Sequence, residues 1–186
     1  LSEYAKGNYD RAEIEKVFKK IVGADFNAFM LLERPDRICS VPGKPDTHNP
    51  SKTMLYTDPF CGLFDKCIEP GLSERYYTDL SEQLKKQEKN DLYGYLFKTI
   101  RTLCDVLAIK FDLGVRTREL YRGKDKAALK ELALKDYTDL SARLEEFYAA
   151  FETCWETEKK PYGFDVQDAR LGGLIRRIAH LKKRLL

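Results

Sequence analysis

Two segments of the sequence place aromatic and acidic side chains on backbone that we predict to be irregular. Residues 54–71 mix aromatic residues with prolines and glycines, and residues 158–164 surround Pro161 and Gly163. Aromatic rings on irregular backbone either close the end of a helical core or dock on a partner, and the sequence leaves both alternatives open. The candidate docking residues are Tyr56, Asp58, Phe60, Phe64, Tyr162, Phe164 and Arg170.

Signatures of catalysis are missing from the sequence. It contains no G-x-G-x-x-G, P-loop, G-x-S-x-G or H-E-x-x-H motif. Most carboxylates fall on predicted helix faces beside Lys or Arg, where such pairs contribute a few tenths of a kcal/mol each. We therefore predict no catalytic residue and no cofactor in this chain.

Histidine and cysteine do not predict a metal site either. His48 lies in a Pro-rich stretch, and His180 lies near the end of the last predicted helix, where the dipole favours a cation. The cysteines show no C-x-x-C spacing, so we expect reduced thiols packed as small hydrophobic side chains in a cytoplasmic protein. They are Cys39, Cys61, Cys67, Cys104 and Cys154.

The charges are interleaved along the chain. The sequence has 33 basic and 30 acidic residues and a formal net charge of +3, which is typical of a solvated surface. We expect neither nucleic acid nor a membrane as a partner, and no apolar run reaches the roughly 18 residues of a membrane span. One basic run is either a face for nucleic acid or an acidic partner or, as we expect, a solvated last turn that complements the helix dipole. It contains Arg176, Arg177, Lys182, Lys183 and Arg184.

Residues 72–186 show the periodicity of long helices. Leucines and aromatic residues recur every three or four positions and predict four helices, at about 72–88, 91–121, 125–160 and 165–186. Because short turns join them, neighbouring helices must run antiparallel. We therefore predict an all-α fold, an antiparallel bundle of long helices. Gly172-Gly173 in the last helix is expected to allow another helix to approach closely.

Residues 1–71 are predicted to form a helical and looped region. Asp10 caps a helix that Gly23 ends, and a short helix follows at 25–32. Residues 34–53 read as a Pro-rich loop. We expect residues 54–56 to be extended or turn-like and residues 58–64, which open on Asp-Pro, to form a short helix.

Three segments quoted together point to one family. They are EKKPYGFDVQDARLGGLIRRI at residues 158–178, NPSKTMLYTDPFCGLFD at 49–65, and LSEYAKGNYDRAEIEKVFKKIVGADFNAFMLL at 1–32. The first two resemble the C-terminal all-helical domain of one bacterial branch of glycoside hydrolase family 20, the β-N-acetylhexosaminidases. The third is similar to the stretch that follows the last strand of that family's barrel.

The resemblance implies a fragment of a larger enzyme. Residues 1–71 would then be an end-of-barrel helix, short helices and a Pro-rich connecting loop, and residues 72–186 the helical bundle. In this family the barrel removes terminal N-acetylhexosamine by substrate-assisted hydrolysis, with the Glu of an Asp-Glu pair as general acid. No Asp in this chain is followed by Glu, so we expect the fragment alone to be inactive.

The implied partner is the catalytic barrel of the same polypeptide, and a homodimer is a further candidate. The parent enzyme would act on N-acetylhexosamine glycans. The implied roles of the domain are barrel stability, dimerisation or shaping of the substrate pocket. The alternative is a free-standing helical interaction or oligomerisation module, which would use the same apolar stripes and no chemistry. The sequence encoded before Leu1 would distinguish the two, because only the first requires a barrel there.

Overall fold

The computed structural model describes residue 7 and residues 10–38, 49–69 and 71–186. Within these ranges the chain is helical and forms no strand, which confirms the all-α fold class and the bundle of long helices. The α-helices are α1 (Arg11–Val22), α2 (Phe26–Phe29), α3 (Pro50–Tyr56), α4 (Leu72–Lys85), α5 (Gly94–Arg122), α6 (Lys126–Leu134), α7 (Asp136–Glu158) and α8 (Phe164–Leu185), with 3₁₀ helices at Met30–Asp36 and Asp65–Cys67.

Helix α5 lies at the centre of the bundle, where α3, α4, α6 and α7 pack around it. Hydrogen bonds pair Thr99 with Ala150 and Arg116 with Asp136, so that α5 and α7 run antiparallel. Buried side chains occur on every side of α5, whereas the sequence predicted a single stripe. A helix covered on several sides loses the one-faced periodicity by which it is usually recognised. Leu92, which falls inside the helix predicted at about 91–121, lies before the observed helix and is exposed.

The first helix begins and ends as predicted. The Asp10 side chain accepts hydrogen bonds from the amides of Ala12 and Glu13. Gly23 ends the helix with a φ of 75°, a left-handed conformation that glycine adopts without strain.

The prediction of one continuous helix over residues 125–160 is wrong, because the structure has two helices here, α6 and α7, divided at Lys135. No Pro or Gly marks this position. The ψ angle of Lys135 is −76°, well away from the usual helical value of about −42°. The Thr138 hydroxyl donates to the carbonyl of Leu134 at 2.7 Å, so a side chain satisfies a carbonyl at the break.

Several predictions for residues 25–64 are also wrong. The short helix predicted at 25–32 is instead α2 followed by a 3₁₀ helix that continues through Pro35. Residues 50–56, expected to be loop and extended chain, form α3, because the Asn49 side chain caps the Lys52 amide and Pro50 suits the first helical position. The helix expected at 58–64 is a turn, in which Asp58 accepts from the Phe60 amide. His48, Cys39 and half of the predicted Pro-rich loop lie outside the described residues.

The close helix approach expected at Gly172-Gly173 does not occur within the described chain. A Cβ atom added at either glycine would find nothing within 4 Å. The pair lies on the outer side of α8, whose buried residues are Leu171, Leu174, Ile178 and Leu181.

Candidate docking surface

Helix α8 carries a row of arginines spaced seven residues apart. Each arginine contacts one residue of an alternating series that begins at the last residue of α3. We call Arg170, Arg177 and Arg184 the arginine row. Residues seven apart return to the same face of a helix, so the row forms one line of contacts. The pairs are the Arg170 guanidinium and the Tyr56 ring centroid at 4.4 Å, Arg177 Nε and Asp58 Oδ2 at 2.5 Å, and the Arg184 guanidinium and the Phe60 ring centroid at 5.7 Å.

Helix α5 contacts the same segment from the other side. The Lys110 ammonium donates to the carbonyls of Met54 at 2.7 Å and Thr57 at 2.6 Å. Arg118 donates to the Asp65 carboxylate and to the carbonyl of Pro59. Because both helices bind it, the segment from residue 56 to residue 65, which we call the aromatic segment, is fixed on the bundle.

Glycine is needed at one point of this contact. A Cβ atom at Gly114 would lie 2.7 Å from the Pro59 carbonyl oxygen, closer than real Cβ contacts come. The aromatic segment therefore approaches the backbone of α5 where that helix has no side chain.

The electrostatics of the segment follow from burial and its basic neighbours. Partial burial would raise the pKa of Asp58, but hydrogen bonds from Arg177 and the Phe60 amide lower it below its usual value. Burial lowers the pKa of Lys110 to about 7, although the nearby Asp58 charge acts in the opposite direction. Burial raises the pKa of Tyr56, and the charge of Arg170 partly counters this rise. The Asp58 carboxylate therefore supplies the negative charge that interacts with both Arg177 and Lys110.

Phe164 closes the corner between α7 and α8. Its ring lies in an aromatic cluster, with centroid distances of 6.0 Å to Tyr148 and Phe151 and 5.7 Å to Trp155. The Trp155 indole donates to the carbonyl of Lys160 at 3.1 Å, which fixes the ring at the turn. Phe164 thus packs at the end of the core rather than standing free.

Tyr162, two residues earlier, has a different environment, with 87% of its surface exposed. Phe64 is half-buried and packs against the core. The candidate docking residues are therefore divided between two places. Tyr56, Asp58, Phe60 and Arg170 meet along α8, whereas Tyr162 and Phe164 lie at the α7–α8 corner.

A groove of about 210 Å³ opens between α3, α7 and α8. Its walls include Tyr56 and Arg170 on one side and Phe151 on the other. Since Phe151 also contacts Phe164, the groove lies between the two groups of candidate residues. Its lining also includes the amide side chains of Asn49 and Gln167.

Comparison with protein families identifies the chain. A family model described as the Glycoside Hydrolase 20C C-terminal domain matches residues 27–186. The chain belongs to this family. The resemblance to the C-terminal domain of glycoside hydrolase family 20 is thereby confirmed. A search of the curated proteins finds no match.

Sequence reasoning missed part of the arginine row in this glycoside hydrolase 20C C-terminal domain. Arg177 and Arg184 were assigned to a solvated basic turn, which is wrong for Arg177 because its guanidinium pairs with Asp58. The seven-residue spacing of these arginines, continued back to Arg170, was the available signal. Lys110 was missed because a lysine within an apolar helix has no local feature that marks it as buried.

No cluster of three or more metal-ligating side chains occurs among the described residues. Three of the cysteines whose side chains the structure describes are free thiols: Cys61 is exposed, Cys104 buried and Cys154 half-buried. Burial raises the pKa of the Cys104 thiol well above its usual value, so it packs as a neutral group. Over the described part of the chain, none of the helices combines the length and apolar character that crossing a membrane requires.

Proposed function

We propose that this domain is the non-catalytic C-terminal part of a β-N-acetylhexosaminidase and that it stabilises the catalytic barrel by packing against it through α1. The parent enzyme would remove terminal N-acetylhexosamine with the substrate's own acetamido group as nucleophile. The general acid would lie in the barrel, since no Asp in this chain is followed by Glu.

The observation that carries the proposal is the uncovered apolar face of α1. No side chain of this helix is buried. Phe18 packs edge-on against Phe26 and Phe29 at 5.4 and 5.2 Å, but Val17 is 42% exposed and Ile21 is 78% exposed. An amphipathic helix normally buries its apolar stripe, so a further surface is needed to cover it.

The position of α1 in the sequence supports the barrel as the surface that covers this helix. The family match begins at residue 27, after α1 has ended. The sequence around α1 is the stretch that resembles the end of the family's barrel. We therefore assign α1 to the junction, with Phe18 facing the bundle and Ile21 facing the barrel.

The test compares one substitution in two contexts. Ile21→Glu in the isolated 186-residue chain should change the free energy of unfolding by no more than about 0.5 kcal/mol, because the side chain is exposed there. In the full-length protein the same change would bury a charge and should cost about 1–3 kcal/mol. Urea unfolding monitored by circular dichroism measures both values.

Leu134→Glu is the matched control, because Leu134 is also an exposed apolar helix residue, at 55%, and is far from α1 in sequence. It should be neutral in both contexts. If Ile21→Glu is equally neutral in the full-length protein, α1 does not pack on the barrel.

The catalytic part of the proposal has its own assay. The full-length protein should release p-nitrophenol from p-nitrophenyl N-acetyl-β-glucosaminide, and the isolated chain should release none. Hydrolysis by the isolated chain would contradict the non-catalytic role.

A further inference from the structure

A cleft opens at the end of the bundle where the C-terminal end of α5, helix α6 and the end of α8 meet. Its volume is about 810 Å³, within the range of small-molecule sites. It is separate from the groove beside Tyr56 and from the α1 face. Its lining includes five cationic side chains and no acidic one, the cations being Arg118, Arg122, Lys126, Lys130 and Arg184.

The basic residues of the cleft differ from the other arginines of α5. Arg116 pairs with Asp112 at 2.9 Å and with Asp136 at 2.6 Å. Arg101 pairs with three carboxylates, those of Glu88, Asp105 and Glu146. Elsewhere on this helix, then, the fold supplies an anion for each guanidinium.

In the cleft only Arg118 has a carboxylate partner, Asp65. Among the described residues no ion pair involves Arg122, Lys126, Lys130 or Arg184, and the Arg184 guanidinium lies over the ring of Phe60. Four cationic side chains therefore line one cavity without a carboxylate side chain paired to them, and Leu186, the last residue of the sequence, also lines it.

Repulsion among these cationic side chains destabilises the folded domain when no anion is bound. Arg118 and Arg122 on α5, and Lys126 and Lys130 on α6, are like charges four residues apart, a spacing at which repulsion destabilises a helix. Lys126 is also the first residue of α6, where the helix dipole disfavours a cation. The dipoles of α5 and α8 favour cations at their C-terminal ends, but this does not explain the lysines of α6. Charges that are unfavourable for the helix that carries them, and that no other contact of the fold offsets, are typical of functional sites.

We propose that the cleft binds a small molecule with two or more anionic groups, either phosphate esters or carboxylates, on a scaffold of about sugar size. Guanidinium and ammonium groups form charge-assisted hydrogen bonds with both kinds of oxygen. Tyr121, which is 72% exposed and lines the cleft, offers a ring face to the scaffold. Leu129 and Leu185 give the remaining lining an apolar part. This binding activity is independent of glycoside hydrolysis.

Isothermal titration calorimetry on the full-length protein at low salt tests the proposal. The probes are fructose 1,6-bisphosphate, citrate and inorganic phosphate. At least one of the first two should bind more tightly than inorganic phosphate, and added salt should weaken the binding. The stronger of the two identifies the preferred anionic group.

The variant Lys126→Gln/Lys130→Gln should weaken the best probe about tenfold or more, since each charge-assisted hydrogen bond contributes appreciably to binding. Lys85→Gln/Lys86→Gln at the C-terminal end of α4 is the matched control, because both lysines are exposed and lie outside the cleft lining. The cleft variant removes only repulsion, so its unfolding midpoint should not fall, and lost binding will not reflect unfolding.

Three results would overturn the proposal. They are the absence of binding by every probe, equal weakening by the cleft and control variants, and a structure of the full-length protein in which an acidic segment of its own chain fills the cleft.

Discussion

The Nε atom of Arg177 lies 2.5 Å from Oδ2 of Asp58 and joins two residues that are 119 positions apart. The other oxygen of the same carboxylate accepts a hydrogen bond from the Phe60 amide at 2.8 Å. One side chain therefore shapes the turn and connects it to the last helix.

Two substitutions at Asp58 separate these tasks. Asp58→Asn keeps an acceptor for the Phe60 amide but loses the ion pair, and should cost about 0.5–1 kcal/mol because both partners are about one-third exposed. Asp58→Ala loses the turn hydrogen bond as well and should cost about 1 kcal/mol more. Urea unfolding at pH 7 measures both. Equal values for the two variants would show that the turn hydrogen bond does not contribute.

The same pair has a defined pH dependence. The pKa of Asp58 in the folded chain lies below its usual value of 3.8. The stabilisation is therefore complete above the unfolded-state pKa and is lost as pH falls through the folded-state pKa. The difference in unfolding free energy between the natural chain and Asp58→Asn should have its full value at pH 5 and shrink below about pH 4. A difference unchanged at pH 3 would contradict this.

Lys110 should give a slope of the same sign, but at neutral to alkaline pH. Its pKa is about 7 in the folded chain against a usual 10.5, so between these values the unfolded chain binds more protons. Stability should rise with pH across this window, by at most about 1.4 kcal/mol per pH unit. Comparing urea unfolding at pH 7 and pH 9 measures the rise.

Lys110→Met should abolish that rise and also leave the Met54 and Thr57 carbonyls without their donor, at a cost of about 2 kcal/mol at pH 7. Lys98→Met, at an exposed position of the same helix, is the control and should preserve the pH dependence. If the natural chain and Lys110→Met respond to pH in the same way, the lysine does not titrate near neutrality.

The sequence predicted the long helices because their signals are local. Asp10, Gly23 and Asp125 act within a few residues of their position, and apolar side chains recur within each helix. Helix α3 was missed because Pro50 was interpreted as a loop residue, although proline after a capping Asn is compatible with a helix start. The break at Lys135 has no sequence signal of its own.

The contacts of the arginine row could not be predicted from the sequence, because they join residues more than one hundred positions apart. The spacing of Arg170, Arg177 and Arg184 predicts one face of a helix but not what that face contacts. Only the tertiary fold brings the Asp58 carboxylate to that face. For the same reason, burial of Lys110 follows from the packing of α3 on α5 and not from its neighbours in sequence.

Gly114→Ala should destabilise the chain by about 1–3 kcal/mol, because the added methyl group would meet the Pro59 carbonyl oxygen at 2.7 Å. Gly172→Ala is the matched helical control. It should stabilise the isolated chain by up to about 1 kcal/mol, since alanine favours a helix and nothing lies within 4 Å. Thermal unfolding of both variants checks the signs. Stabilisation by Gly114→Ala would mean that the aromatic segment is not closely packed on α5.

Phe164 and Tyr162 separate the two interpretations of the aromatic corner. Phe164→Ala removes a ring that contacts Tyr148, Phe151 and Trp155, and should cost about 2 kcal/mol, less than a fully buried Phe. Tyr162→Ala should change the unfolding free energy of the isolated chain by less than about 0.5 kcal/mol, because the ring is 87% exposed. Urea unfolding of the isolated chain and of the full-length protein measures both. If Tyr162→Ala destabilises only the full-length protein, Tyr162 docks on another part of that protein, whereas a neutral result in both excludes it from such a contact.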